Sequence, residues 1–230
     1  MLILNDGFNY DAYERRYKEG YGIMYPESHI IRIYEYFLVH ECGLTGQSGE
    51  TLLDYGCGNG THSLYFKSKG FGVYGVDISE RAIALCREKM PEESNNFVVI
   101  KSAENIEDHF KNKFDVILLN QVLYYLSNKD LESTLNLLRN VLKKDGYIIC
   151  TMIGTKNLYY NNIEKKLNDG LHKVVLKGRV STTHQINFVN SKNDLLNKFK
   201  MFKPVTVGYY DFQLKDKHSN FHYIFIGKHL

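Results

Sequence analysis

LLDYGCGNGTHSLYFKSKGFGVYGVDIS, Leu52 to Ser79, decides how the rest of this chain is read. An apolar-leaning run ending in Asp54 reads as a strand. Three glycines at alternate positions follow (Gly56, Gly58, Gly60), then a helix-like segment, then a second strand ending in Asp77. A strand that runs into a glycine-rich turn lets a ligand lie against bare backbone, because no Cβ blocks the approach. The acid that closes the second strand, 21 positions after Gly56, is placed to accept hydrogen bonds from ribose hydroxyls. These features together predict a nucleoside-containing cofactor at the C-terminal edge of a parallel sheet.

Glycine spacing narrows the choice of cofactor. A dinucleotide fingerprint needs G-x-G-x-x-G, whose third glycine would fall at position 61, where this chain has Thr61. What stands here is D-x-G-x-G-x-G, Asp54 to Gly60, which resembles motif I of the class I S-adenosylmethionine-dependent methyltransferases. In that family the turn carries the methionine part of the cofactor and the acid after the second strand holds the ribose. The resemblance therefore implies cofactor contacts from Asp54, Gly56, Cys57, Gly58, Asn59, Gly60, Asp77 and Ile78. A bare tight turn is the plain alternative, but this turn arrives with its strands and its acid.

With 230 residues, 43% of them hydrophobic and 13% aromatic, the chain can bury a substantial core as one α/β domain. The start, MLILND, lacks the basic n-region of a signal peptide, and no apolar run reaches membrane-spanning length. The four cysteines (Cys42, Cys57, Cys86, Cys150) form no C-x-x-C pair, so neither a disulfide framework nor a zinc site is expected. A reduced, cytoplasmic protein is the plain reading. Net charge is only +3 but is unevenly spread: residues 1–150 hold 16 Lys+Arg against 21 Asp+Glu, and residues 151–230 hold 13 against 5. Such asymmetry can draw an anionic ligand to one side, although a solvated lysine-rich surface would look the same. No dense basic tract points to nucleic acid.

Strands and helices alternate through residue 153, which predicts a doubly wound parallel sheet with helices on both faces. Strands are expected at Thr51–Cys57, Gly72–Ile78, Phe97–Lys101, Phe114–Asn120 and Tyr147–Ile153, the last after a turn at Lys143–Gly146. Helices are expected at Thr61–Lys69, at Glu80–Met90 behind an Ser79 N-cap, and at Lys129–Leu142. Beyond residue 153 the pattern predicts a helix over Asn157–Asn168, β-like runs at Lys173–Val180 and Gln185–Val189, and a helix within Ser191–Phe199. Val205–Phe212 and Phe221–Lys228 read as an antiparallel pair. The methyltransferase resemblance makes that hairpin the completion of a seven-stranded Rossmann-like sheet, and makes residues 154–190 a substrate-covering insertion in a single domain of residues 1–230.

Further segments extend the resemblance. Ser102–Asn105 follows the third strand, where Ala103 and Glu104 are expected near the adenine. Phe114–Leu126 resembles motif IV, which implies cofactor contact from Asn120 and acceptor contact from Gln121. The first forty residues hold seven of the 18 tyrosines. Ile30, Ile33, Tyr34 and Phe37 at helical spacing predict core packing, but the two glycines and Pro26 of EGYGIMYP exclude a regular helix. Small-molecule relatives begin with a lid of this kind, so residues 1–45 are expected to close over the site. Tyr17 is then assigned to the cofactor and Tyr25 to the acceptor, together with Tyr124 and Arg179.

Methyl transfer from a sulfonium is an in-line displacement whose barrier falls mainly through alignment. An alcohol acceptor also needs a base. His184, in the insertion, is the first candidate and His29 the second; each could equally be structural. Tyr125 lies where relatives place His or Tyr beside the transferred methyl. No metal cluster is expected. The excess positive charge after residue 150 favours an anionic small-molecule acceptor, with neither nucleic acid nor membrane as partner, in a monomer or homodimer. The Lys-, Asn-, Ile- and Tyr-rich composition resembles methyltransferases of bacterial surface-polysaccharide clusters, which implies O-methylation of a sugar nucleotide or phosphoramidate capsule precursor. N-methylation of an amino sugar or amine, and cofactor binding without catalysis, remain open. The N-P-P-Y signature of amide- and base-methylating relatives is absent at Asn120-Gln121-Val122-Leu123.

Overall fold

In a computed structural model, residues 8–101, 106–111, 113–177, 182–213 and 219–230 are described. Seven strands form one sheet: β1 (Thr51–Tyr55), β2 (Gly72–Asp77), β3 (Phe97–Val99), β4 (Phe114–Leu119), β5 (Leu142–Ile153), β9 (Lys203–Tyr210) and β10 (His222–Lys228). Their order is β3-β2-β1-β4-β5-β10-β9. The first five pair in parallel, and β10 runs antiparallel to both β5 and β9. The expected α/β sheet with its antiparallel hairpin is therefore present.

Strand residues alternate between two cores, as the period of two demands. Leu53, Ile117, Leu119, Ile148 and Cys150 face one side, where they meet Leu131, Leu135 and Leu138 of α6 (Asn128–Val141) and Leu195 of α7 (Lys192–Lys198). Leu52, Val116, Leu118 and Ile149 face the other. There they meet Ile30 of α2 (Ser28–Arg32), Phe66 of α3 (Thr61–Ser68) and Ile83 of α4 (Glu80–Lys89). Ile33, Tyr34 and Phe37 are buried as the helical spacing predicts, although α2 widens into a π-helix over Ile33–Val39. α1 (Phe8–Lys18) and α5 (Ile106–His109) complete the α-helices among the described residues.

Ser79, Ser127 and Ser191 each accept a hydrogen bond from the backbone N–H three residues on, which fixes the starts of α4, α6 and α7. The Lys143–Gly146 turn expected before the fifth strand is instead part of β5, which starts at Leu142 and shifts register against β4. Asp145 takes up the irregularity at φ 65°, and its N–H donates to the His229 carbonyl.

The helix expected over Asn157–Asn168 does not form. Asn157 is buried, its Oδ1 accepts from the Tyr159 N–H, and its Nδ2 donates to the Phe221 carbonyl at 3.2 Å. Such side-chain bonds offer the backbone an alternative to helix. One 3-10 turn (Tyr160–Asn162) leads into β6 (Ile163–Lys166), which pairs with β7 (Leu171–Leu176), itself paired with β8 (Thr182–Asn187). This second sheet is tied to the start of α6 by Asn187, whose Nδ2 donates to the Leu126 carbonyl and to Asn128 Oδ1, both at 3.0 Å.

Candidate functional site

Strand order reverses at β1, which lies between β2 and β4, so their carboxyl ends flank a crevice at the switch point of the sheet. The glycine turn crosses it. Gly56, Gly58 and Gly60 have φ of 78°, 55° and 75°, conformations that L side chains rarely adopt. A methyl group at Gly56 would lie 2.7 Å from Val122 Cγ2, and one at Gly58 2.6 Å from the Tyr17 hydroxyl oxygen.

The two acids divide their work. Asp77 accepts from the N–H of Gly58 and the N–H of Ser79, each at 2.9 Å, and lines the cavity with lone pairs to spare. Asp54 turns the other way and accepts from Ser63 Oγ at 2.7 Å. Burial pushes its pKa up to about 7. It braces the turn against α3 and does not line the cavity, contrary to the cofactor contact that motif I implies. Gly60 likewise lies off the cavity, where it begins α3 against Cys86 Sγ.

The N-terminal segment closes over this crevice. Glu14 of α1 accepts from Ser79 Oγ at 2.6 Å and from the Arg81 N–H at 3.2 Å, which places a carboxylate at the N-terminus of α4. Tyr17 is buried above Gly58. The Tyr13 and Tyr125 hydroxyls share a hydrogen bond of 2.6 Å. The Ile23 carbonyl accepts from Asn59 Nδ2 at 2.9 Å and Thr61 Oγ1 at 2.5 Å. That anchorage turns Gly22 and Ile23 inward and leaves Tyr25 outside, 79% exposed, so the structure does not bear out its expected acceptor contact.

Glu27 organises the opposite wall. Asn120 Nδ2 donates to one carboxylate oxygen and Gln121 Nε2 to the other, both at 2.8 Å. Gln121 holds φ 56°, a conformation uncommon for a residue with a side chain, with its N–H on Thr151 Oγ1 at 2.7 Å. The Glu27 N–H donates to His62 Nε2, so that nitrogen carries no proton, and burial lowers the His62 pKa to about 4. His29 Nε2 lies 2.9 Å from Asn120 Oδ1, and its ring stacks on Tyr210, which stacks in turn on His222.

The partly enclosed cavity measures about 350 Å³, a volume suited to small ligands. Of the residues expected at the site, Tyr17, Gly56, Cys57, Gly58, Asn59, Asp77, Ile78, Asn120, Gln121, Tyr124 and Tyr125 line it. His184 does not. It is buried in β8 against Tyr159 and Tyr125, which do line the cavity, and its Nε2 has no hydrogen-bond partner among the described residues. Burial lowers its pKa to about 4. Ala103, Glu104 and Arg179 lie outside the described residues. Among the described residues, no group of three or more His, Cys, Asp or Glu is placed to hold a metal ion, and no helix is long and apolar enough to cross a membrane.

Sequence reasoning missed Tyr13, Arg16, Glu27, His62 and Tyr159, all of which line the cavity. His62 carried a usable signal, since the second residue of a helix that opens on a ligand turn lies close to that ligand. The others depend on how the N-terminal segment and the insertion fold back, which no local pattern encodes.

The sequence profile of a family described as "Methyltransferase domain" matches residues 46–202. Ubiquinone biosynthesis O-methyltransferase of Glaesserella parasuis is 30% identical over 115 residues, 47% of this chain and 47% of that protein. The chain thus matches about half the length of that curated relative. Among solved structures, a SAM-dependent methyltransferase from Methanosarcina mazei superposes with a TM-score of 0.65 at 18% identity, covering 85% of this chain and 98% of that one. The 1,6-didemethyltoxoflavin-N1-methyltransferase of Burkholderia thailandensis, with bound 1,6-didemethyltoxoflavin and S-adenosylhomocysteine, superposes with a TM-score of 0.62 at 15% identity, covering 95% of this chain and 86% of that one.

Proposed function

This chain belongs to the methyltransferase-domain family, and on that premise we propose that it transfers a methyl group from S-adenosylmethionine to a small, anionic acceptor, leaving S-adenosylhomocysteine. The observation that carries the reading is the pairing of the left-handed glycine turn with Asp77 at the switch point, beneath a tyrosine-rich cover. The residues fit such a ligand: the bare backbone at Gly56 and Gly58 admits it closely, and Asp77 retains acceptor capacity for ribose hydroxyls.

When bound, S-adenosylmethionine supplies an electrophilic methyl on a sulfonium. Asn120 and Gln121, locked by Glu27 and Thr151, form a fixed wall that orients what lies between β4 and the cover. Tyr13, Tyr17, Tyr21, Tyr124 and Tyr125 limit water, so that positioning carries most of the acceleration. Burial holds the phenols of Tyr13, Tyr124 and Tyr125 well above their ordinary pKa, so each stays protonated and can donate. In this reading Tyr125 orients the acceptor and His184, set behind it, positions Tyr125.

Transfer to oxygen is the leading form, on a sugar nucleotide or a related phosphorylated precursor within the cytoplasm. Transfer to nitrogen is the second reading, favoured by the Glu27 carboxylate on the cavity wall, which suits an amine. Residues 1–45 act as the lid of a single domain, and residues 154–190 reach the cavity through Tyr159.

Calorimetric titration of the wild type and of Asp77→Ala with S-adenosylmethionine and S-adenosylhomocysteine tests the reading. Micromolar binding that collapses in the variant supports it. Absence of binding to folded wild-type protein overturns it. Product analysis then separates oxygen from nitrogen transfer.

A further inference from the structure

Arg16 is the one cavity-lining arginine among the described residues, and its guanidinium lies against aromatic rings. Its carbon lies 5.6 Å from the Tyr13 ring centre and 5.3 Å from that of Tyr21. Among the described residues no carboxylate, carbonyl or hydroxyl accepts a hydrogen bond from it, and it joins no ion pair. A guanidinium whose faces lie against aromatic rings still presents its N–H donors at its edge, in the plane where carboxylate or phosphate oxygens bind as a fork. Those donors face a partly enclosed cavity, where an anionic ligand that displaces water from them gains charge-assisted hydrogen bonds.

The position of Arg16 separates it from the ribose acid. Its charge is felt at Tyr159 and His184, on the side of the insertion. Asp77 acts instead on Tyr17 and Tyr55. Tyr13 and Tyr21 lie against the guanidinium, and Tyr125 and Tyr159 add phenol rings to the lining of the same cavity. Flat walls of that kind favour a ring over a flexible chain, because stacked rings prefer centroid separations of about 4.5–7 Å.

From this juxtaposition we propose that Arg16 is the specificity-determining residue of the acceptor site, and that the acceptor is a ring-bearing molecule with a carboxylate or phosphate group gripped by that guanidinium. The inference rests on the methyltransferase reading for the word acceptor, but the anion site itself does not. Arg16 selects the acceptor and orients its ring toward Tyr125, and it takes no part in bond making.

The test uses the 230-residue chain with and without S-adenosylhomocysteine, titrated with phenyl phosphate, benzoate, benzyl alcohol and benzylammonium. The wild type is expected to bind one or both anions at least tenfold more tightly than the neutral and cationic probes. Whichever anion binds better distinguishes a phosphorylated from a carboxylated acceptor. Arg16→Gln is expected to abolish that preference, Arg16→Lys to keep part of it, and both to bind S-adenosylhomocysteine within about twofold of wild type. Anions that bind the wild type no better than benzyl alcohol overturn the proposal, as does a preference that survives in Arg16→Gln. Equal losses of phenyl phosphate and S-adenosylhomocysteine affinity in Arg16→Gln also overturn it, because Arg16 would then serve the cofactor. An Arg16-dependent anion preference without any S-adenosylhomocysteine binding sinks the methyltransferase reading and leaves the anion site standing.

Discussion

The hydroxyl oxygens of Tyr13 and Tyr125 lie 2.6 Å apart although 112 residues separate them in the chain. One belongs to the N-terminal helix and the other to the 3-10 turn (Leu123–Tyr125) after β4, so this bond joins the cover to the cavity floor. Removing either hydroxyl should cost S-adenosylhomocysteine about 1 kcal/mol of affinity, roughly fivefold. Tyr13→Phe and Tyr125→Phe together should cost little more than either alone. A double-mutant cycle by calorimetry checks this, and additive losses would show that the two act separately.

Gly58→Ala places a methyl 2.6 Å from the Tyr17 hydroxyl, at a φ of 55°. Strain in the left-handed region costs about 1–2 kcal/mol, which should lower the melting temperature by several degrees. Cofactor affinity should fall at least tenfold, because the turn and Tyr17 both have to shift. Adding Tyr17→Phe, which removes the clashing oxygen, should restore part of that affinity. No restoration would place the whole effect in the backbone.

Glu14 holds α1 on the N-terminus of α4 through Ser79 and the Arg81 amide. Glu14→Ala should free the helix and speed trypsin cleavage after Arg15, Arg16 or Lys18, with global stability lowered by no more than about 1–2 kcal/mol. Limited proteolysis followed by mass spectrometry reads it out. An unchanged cleavage rate would mean that the tyrosines alone keep the segment docked.

Burial lowers the pKa of His62, His184 and His222 to about 4, well below the ordinary value of 6.5. The unfolded chain therefore binds more protons than the folded one between these values. Stability contributed by the neutral forms is complete above about pH 6.5 and is lost as pH falls toward 4, at up to ~1.4 kcal/mol per pH unit for each group. Asp54, raised to about 7, works in the opposite sense, since it favours the folded state below about pH 4 and loses that contribution as pH rises toward 7. Replacing His222 with Gln should flatten the acid limb of a stability-versus-pH curve from chemical denaturation. A slope equal to wild type would count against a buried neutral His222.

Most of the sheet could be read from sequence because its strands alternate between two cores and its helices begin at side-chain caps; Leu52 and Leu53, or Ser79 and Ala82, carry that information locally. The glycine turn was legible for the same reason, since positive φ at Gly56, Gly58 and Gly60 is a property of those residues themselves. Asn157–Asn168 was misread because its fate depends on Asn157 meeting Phe221, 64 residues away. The exposure of Tyr25 and the inward position of Arg16 and Glu27 are not legible locally, because the path of the cover is set by Asn59, Thr61 and Ser79 and not by its own periodicity. Motif I implied cofactor contact for Asp54, but its register on β1 turns that carboxylate toward Ser63.

β10 lies between β5 and β9, so the seventh strand of the sheet has a neighbour only once His222–Lys228 has been made. During synthesis the parallel half can assemble from the N-terminal side, whereas Lys203–Tyr210, with Val205 and Tyr209 on its surface, must wait as an unpaired β-prone segment. Such segments are where nascent chains associate with one another. Pro204 and Lys203 at its start interrupt that tendency. The order in which the ribosome delivers β9 and β10 thus sets a window of aggregation risk, whose length depends on translation speed from Lys203 to Lys228.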